Sequence, residues 1–256
     1  MTIERFSANA RVLGQKAQIR LESKHVAIIG IGGVGSWSAE ALARNGIGQL
    51  TLIDHDDITE SNINRQIHAL SSTLSMPKVD VMQQRIAEIN PACECHAVDD
   101  MLVSKNMSKH INHNFDFVID AIDSVKFKAD LIYYCKRNKI PIVTTGGAGG
   151  LTDPTKITIS DLTLTTNDPL AAKVRHDLRR RYNWTRTKGR RFGIKCIYST
   201  QQPVYPTDNG GVSQSRPKAG GVTLDCETGY GSTATVTASF GMAAAAYATN
   251  RLCNDT

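Results

Sequence analysis

Residues 25–29, apolar after His25, lead into a glycine cluster at Gly30, Gly32, Gly33 and Gly35. A short apolar run bounded by glycine reads as a buried strand. Residues 36–45 follow with helical spacing and good helix formers, and Gly46 stops them. A second apolar strand over 49–53 ends at Asp54, so the opening unit is strand, glycine turn, helix, strand. The pattern then repeats. Residues 78–89 read as an amphipathic helix closed by Asn90 and Pro91, 94–98 and 116–121 as strands, 125–138 as a helix, and 140–145 as a strand before a second glycine cluster at 146–150. Strands alternating with helices predict a Rossmann-like, mostly parallel sheet with helices on both faces. Beyond 150 the character changes. Residues 156–160 and 193–199 read as strands around a basic helical segment, 208–221 as a glycine-rich loop, and 233–250 as a packed helix of Ala, Thr, Gly and Ser. These predict a smaller antiparallel extension.

At 256 residues the chain is long enough for a sizeable core without staples. No linker is visible, so a single domain over 1–256 is expected. Its nucleotide-binding core would occupy 1–150, and 151–256 would form a substrate-binding and dimer-forming extension. The N-terminus lacks the apolar segment of a secretory signal, and the 233–250 stretch is too polar to span a bilayer comfortably. A cytoplasmic protein without a firm membrane partner is therefore expected, and its six cysteines, none in a CxxC pair, should be reduced thiols.

The glycine turn lies where a nucleotide fold needs it. Backbone N–H groups at a helix N-terminus approach phosphate closely, and Asp54, at the end of the next strand, suits ribose hydroxyls. There is no GxxxxGK[ST] sequence, so the chain is not a P-loop NTPase. A redox dinucleotide enzyme has no use for the polar residues beyond the second strand, Asn62, Asn64, Arg65 and Gln66, or for Lys78 opening a helix. Two cations suit a triphosphate, where they stabilise a departing pyrophosphate. Asp120 and Asp123 end a central strand at the edge where ligands bind, and a carboxylate there suits Mg²⁺. The plainer reading of Asp123 is a helix N-cap.

Together these residues resemble the ubiquitin-activating-enzyme-like adenylating superfamily, which includes the molybdopterin-synthase and thiamine-biosynthesis adenylyltransferases. The match spans Arg5 to about Gly150. It implies ATP contacts from Gly30, Gly32, Gly33, Gly35, Asp54, Asp56, Asn62, Asn64, Arg65, Gln66, Lys78 and Asp120, with Mg²⁺ on Asp123. It also implies a homodimer in which an N-terminal arginine, Arg11 or alternatively Arg5, reaches the partner's ATP. Catalysis would rest on Arg11, Arg65, Lys78 and Asp123. The sulfur-carrier-activating members bind zinc through two CxxC pairs, which this chain lacks.

The chain is more similar to the tRNA threonylcarbamoyladenosine dehydratase branch. The similarity lies in Arg5-Phe6 with Arg11 to Gly14, residues 62–70, residues 137–150, and Asp168 to Lys173. That branch implies ATP-dependent cyclisation of N6-threonylcarbamoyladenosine at position 37 of tRNA, with loss of water. It also opens a link to a cysteine desulfurase or sulfur-acceptor system. A sulfur role for Cys196 or Cys226 therefore stands beside the plainer reading of structural thiols.

Charge supports an RNA partner. The chain is net +6, yet residues 173–195 alone hold ten Lys/Arg against Asp177, a local +9. Arg175, Arg179, Arg180, Arg181, Arg186, Lys188, Arg190 and Arg191 are the candidate tRNA contacts. Trp184, Tyr182 and Phe192 offer stacking surfaces. Arg216 and Lys218 make the 208–221 loop a candidate cover for an anionic ligand. Two other readings compete: an adenylyltransferase for a ubiquitin-like sulfur carrier ending in Gly-Gly, and a non-catalytic nucleotide- or RNA-binding module.

Overall fold

The computed structural model describes residues 4–207, 209–215 and 231–254. Two short helices, α1 (Ser7–Leu13) and α2 (Gln15–Leu21), precede β1 (His25–Ile29), α3 (Gly35–Arg44) and β2 (Gln49–Asp54). Then come α4 (Lys78–Ile89), β3 (Glu94–Asp99), α5 (Met107–His110), β4 (Phe117–Asp120), α6 (Val125–Arg137) and β5 (Ile142–Thr145). The remainder is β6 (Ile157–Asp161), α7 (Pro169–Arg181), β7 (Lys195–Ser199), the short β8 (Tyr205–Pro206) and β9 (Val212–Ser213), and α8 (Ala234–Cys253).

Seven strands form one sheet in the order β3-β2-β1-β4-β5-β7-β6. Every pairing in it is parallel except β6 with β7. β8 and β9 form a separate antiparallel ribbon. The expected Rossmann-like sheet is thus present, and its antiparallel part is one edge strand plus that ribbon.

Alternation along β1 builds two cores. Val26 and Ile28 face one side, packed among Leu42, Met82, Phe240 and Ala244; Ala27 and Ile29 face the other, with Leu131 and Cys135. Each fully buried aliphatic chain contributes about 1.5–3 kcal/mol, so a strand buried on both faces must read as continuously apolar, as this one does. Small residues let α8 lie close against α3, where the Ser38 hydroxyl donates to the Gly241 carbonyl at 3.0 Å. Glu40 of α3 accepts Arg85 of α4 through Nε (2.7 Å) and a second guanidinium nitrogen (3.1 Å), tying the helices together. Among the described residues no helix is long and apolar enough to cross a membrane.

The chain leaves β1 towards β2 and β3 on one side and returns through β4 and β5 on the other. The connections therefore reverse between β1 and β4, and a crevice opens at their carboxyl ends.

Candidate nucleotide site

The crevice is a cavity of about 520 Å³. Gly30, Gly32 and Gly33 line it from the β1–α3 turn; Asp54 and Asp56 line it from the end of β2. Asn62, Arg65 and Gln66 come from the connection beyond, Lys78 from the start of α4, and Asp123 from the end of β4. Gly35 lies just behind the turn as the first residue of α3. A Cβ there would stand 1.8 Å from the Gly30 carbonyl oxygen, so only glycine lets the helix start this close to the strand end.

The acidic end of β2 is held by backbone donors. Asp54 accepts the Ile31 N–H at 2.5 Å on one oxygen and the Asp56 N–H at 3.0 Å on the other, fixing its carboxylate beside the glycine turn. Asp56 forms an ion pair with Lys78 Nζ at 2.7 Å. The predicted ATP contact Asp56 is therefore the counter-ion of the predicted phosphate contact. Arg65 is oriented twice over. Its guanidinium donates to the Ser61 carbonyl (2.8 Å) and to Asn64 Oδ1 (3.0 Å), while its own carbonyl accepts Trp37 Nε1–H at 2.9 Å. Asn64 itself turns away and donates to the Ser232 carbonyl at 2.8 Å, joining this loop to the approach to α8. Asn62 Oδ1 accepts the Thr59 N–H and shapes the loop.

Of the two candidate acids on β4, only one faces the cavity. Asp120 is wholly buried: it pairs with Lys128 Nζ at 3.0 Å and accepts the Thr144 hydroxyl at 2.6 Å and the Ile122 N–H at 3.1 Å. Burial pushes its carboxyl upward, opposed by Lys128 and by the hydroxyl. Asp120 is thus a structural anchor and no part of the cavity wall, a correction to the sequence expectation. Asp123 is exposed, and among the described residues its carboxylate has no hydrogen-bond or ion-pair partner. The N-cap reading fails as well, because Ser124 occupies the cap of α6.

The residues present fit a nucleoside triphosphate. Gln66 Oε1 is buried without a partner on the cavity wall, an acceptor awaiting a donor. Arg65 and Lys78 supply positive charge beside the glycine turn, and Asp123 is the free carboxylate that would take Mg²⁺. Sequence reasoning did not name Trp37, Thr237 or the first residues of the 146–150 cluster, although Thr237, Gly146 and Gly147 line the cavity. The glycine cluster carried a visible signal; Thr237, arriving from the far end of the chain, carried none.

Arg11 lies exposed on α1 and does not line this chain's own cavity, and among the described residues it has no partner. Arg5 is engaged, donating to the carbonyls of Ile89 (2.6 Å) and Glu88 (3.3 Å) at the end of α4.

The basic segment divides. Arg175 donates to Thr165 and to the Leu162 carbonyl; Arg179 donates to the Thr185 carbonyl and lies 5.4 Å from the Phe192 ring centre. Arg181 pairs with Asp130 of α6 and with Asp177, and it donates to the Lys126 carbonyl. These three arginines hold α7 to its surroundings, against the expectation that they face RNA. Arg180 pairs at the surface with Asp177 at 3.2 Å. The aromatic residues are inward too: Tyr182 stacks on Tyr133 at 3.9 Å, Trp184 meets Phe192 edge-on at 4.7 Å, and Phe192 is buried. Among the described residues, the candidate RNA contacts whose side chains are left without a partner are Arg186, Lys188, Arg190 and Arg191. All but Lys188 line a second basic cavity of about 810 Å³ with Lys136 and Arg137 of α6.

Cys196 is buried on β7, and burial among Asp168 and Asp120 raises its thiol well above the usual range, so it offers no thiolate. Cys226, Arg216 and Lys218 lie outside the described residues.

A doubly wound sheet with a glycine turn, an acid on β2 and two cations over one crevice defines a nucleotide-binding protein of the adenylating type. The chain belongs to the ThiF family, whose model matches residues 6–256. It is 46% identical to the tRNA threonylcarbamoyladenosine dehydratase of Escherichia coli over 97% of this chain and 93% of that one. It is 47% identical to the dehydratase of the same name from Haemophilus influenzae, again over 97% and 93%. The crystal structure of the E. coli tRNA N6-threonylcarbamoyladenosine dehydratase TcdA in complex with ATP superposes with a TM-score of 0.87 and 44% identity. That match covers 98% of this chain and 94% of the other.

Proposed function

We infer that this protein catalyses the ATP-dependent dehydration of N6-threonylcarbamoyladenosine in tRNA. The observation that carries the reading is one crevice lined by the glycine turn, Asp54, Arg65, Lys78 and Asp123, in a chain alike over nearly its whole length to dehydratases of that name. The free carboxylate of the modified nucleoside attacks the α-phosphorus of ATP, and pyrophosphate leaves. A nucleophile of the same carbamoyl group then attacks the acyl carbon and loses its proton. AMP departs with the former carboxylate oxygen, and a ring closes. Because the second attack is intramolecular, its effective molarity is high and no protein nucleophile is required.

In this reading Asp54 holds the ribose, while Arg65 and Lys78 neutralise the charge that grows on the departing pyrophosphate. Asp123 would hold Mg²⁺, which would supply positive charge to the phosphates. A homodimer would bring the unpaired Arg11 to its partner's nucleotide. The highly exposed Val12 on α1 and Ile19 on α2 (85% and 66%) support an interface there. The tRNA backbone would run over Arg186, Lys188, Arg190 and Arg191. A sulfur-acceptor link finds no support at Cys196.

The reading is tested by incubating the protein with ATP, Mg²⁺ and tRNA carrying the modification, then weighing the digested nucleosides. Loss of one water with an equivalent of AMP is expected. An unchanged nucleoside, with pyrophosphate exchange only on addition of a Gly-Gly-tailed carrier, would favour the sulfur-carrier alternative instead.

A further inference from the structure

A smaller cavity of about 300 Å³ adjoins the nucleotide cavity, and the two share Asp123, Ser124, Gly147, Gly149 and Leu170 as a common wall. Beyond that wall Val125, Leu151, Pro169 and Pro203 give it apolar surface, while Asn167, Asp168 and Ser199 add polar groups, the Asp168 carboxylate being tied to backbone N–H groups. One cation lines it: Lys173, exposed and, among the described residues, without a partner. Two segments, 146–150 and 168–173, contribute much of the enclosure, and residues 146–149 and Leu170 serve the nucleotide cavity as well. Asp168 caps α7 by accepting the Ala171 N–H at 2.8 Å, and it also accepts the Gly147 N–H at 3.1 Å. A Cβ on residue 146 would stand 1.7 Å from Asp168 Oδ2, so glycine there is what lets the loop seat on the carboxylate. Pro169 and Lys173 are four apart on α7 and share a face, which sets the ammonium one turn above the proline at the cavity.

We propose that this second cavity receives the modified base itself, with Lys173 pairing to the carboxylate of its N6 substituent. The assignment rests on the dehydratase reading. Three observations favour that occupant. Adenylation requires the carboxylate to reach the α-phosphate, so its pocket must share a wall with the nucleotide cavity, as this one does. Apolar walls suit a planar base taken out of its stack, and the single unpaired cation suits one carboxylate. The cavity lies at the small end of ligand sites, which suits a substituted base and not a folded partner. Lys173 acts as a positioning residue: it holds the carboxylate at the shared wall and exchanges no proton.

The test compares Lys173→Ala, Lys173→Arg and Val125→Phe with the parent protein, after thermal melting shows each to be folded. Removal of a charge-assisted hydrogen bond predicts a fall of about 10- to 100-fold in kcat/KM for modified tRNA, mainly through KM. Lys173→Arg should recover most of it. Val125→Phe, which fills the second cavity alone, should reproduce the loss. Affinities for ATP and for unmodified tRNA should stay within about twofold of the parent in all three. The proposal is overturned if Lys173→Ala and Val125→Phe leave kcat/KM unchanged, or if ATP affinity falls in step with it. Should the parent protein itself leave modified tRNA unaltered, the dehydratase reading fails first and the assignment falls with it.

Discussion

Asp120 and Asp123 stand three residues apart and meet opposite surroundings: the first is sealed against Lys128, while the second is exposed on the nucleotide cavity. Substitutions at the two therefore fail differently. Asp123→Ala should leave the unfolding transition in place and lower the rate of adenylation about 100- to 1,000-fold. Asp120→Ala leaves Lys128 buried and unpaired, which costs about 3–5 kcal/mol of stability. Urea denaturation alongside pyrophosphate exchange separates the two effects.

Lys78 reaches the cavity already paired with Asp56, so arriving phosphate competes with a carboxylate. Lys78→Met should weaken ATP binding about 10- to 100-fold. Asp56→Asn removes the competitor, and ATP affinity should hold or rise. Calorimetric titration reads both, and a fall for Asp56→Asn would mean that Asp56 itself contacts the nucleotide.

His68 is 1% exposed, and among the described residues neither ring nitrogen has a hydrogen-bond partner. Burial, with Lys78 and Arg85 nearby, pushes its pKa down to about 4. The folded protein therefore keeps the ring neutral where the unfolded chain takes up a proton. Stability is unaffected by this residue above about pH 6.5 and declines as pH falls from there towards about 4, and the full loss approaches about 3 kcal/mol. His68→Phe should flatten that part of a stability-against-pH curve; an unchanged slope would assign it to other groups.

In the basic segment, charge count and charge availability differ. Replacing Arg186, Lys188, Arg190 and Arg191 by Ala should weaken tRNA binding across sequences and lower the salt slope by about one for each phosphate left without its cation. Arg181→Ala should instead lower the melting temperature, since Asp130 loses its cation and Asp177 keeps only Arg180. Filter binding over a salt series, paired with melting curves, distinguishes them. A salt slope lowered by about one in Arg181→Ala would show that Arg181 also meets RNA.

The alternating elements and the nucleotide crevice were legible because local signals sufficed. The period of the 78–89 helix and the apolar run at 117–120 owe nothing to distant residues. α1 and α2 carry no comparable signal, because each is only seven residues long, too short to show a helical period, and is broken from the other by Gly14. Asp120 and Asp123 look alike in sequence, and only the closure of α6 over the sheet buries one beside Lys128. Arg181 is one of three consecutive arginines, and its binding partner Asp130 sits on another helix, invisible to any local count of charge. Of the aromatic residues of the same segment, Tyr182 turns inward onto Tyr133 of α6, while Trp184 and Phe192 pack edge-on against each other.

Gly33 sits beside Thr237: a Cβ on the glycine would lie 3.4 Å from the threonine's own, and both residues line the nucleotide cavity. The glycine leaves the ribosome early and the threonine late. A nascent chain therefore carries its phosphate turn with one side open until α8 docks on α3. Competence to capture ATP arrives with the last helix, so a product truncated before it has neither a sealed site nor the core of Phe240, Ala244 and Ala248 that supports one.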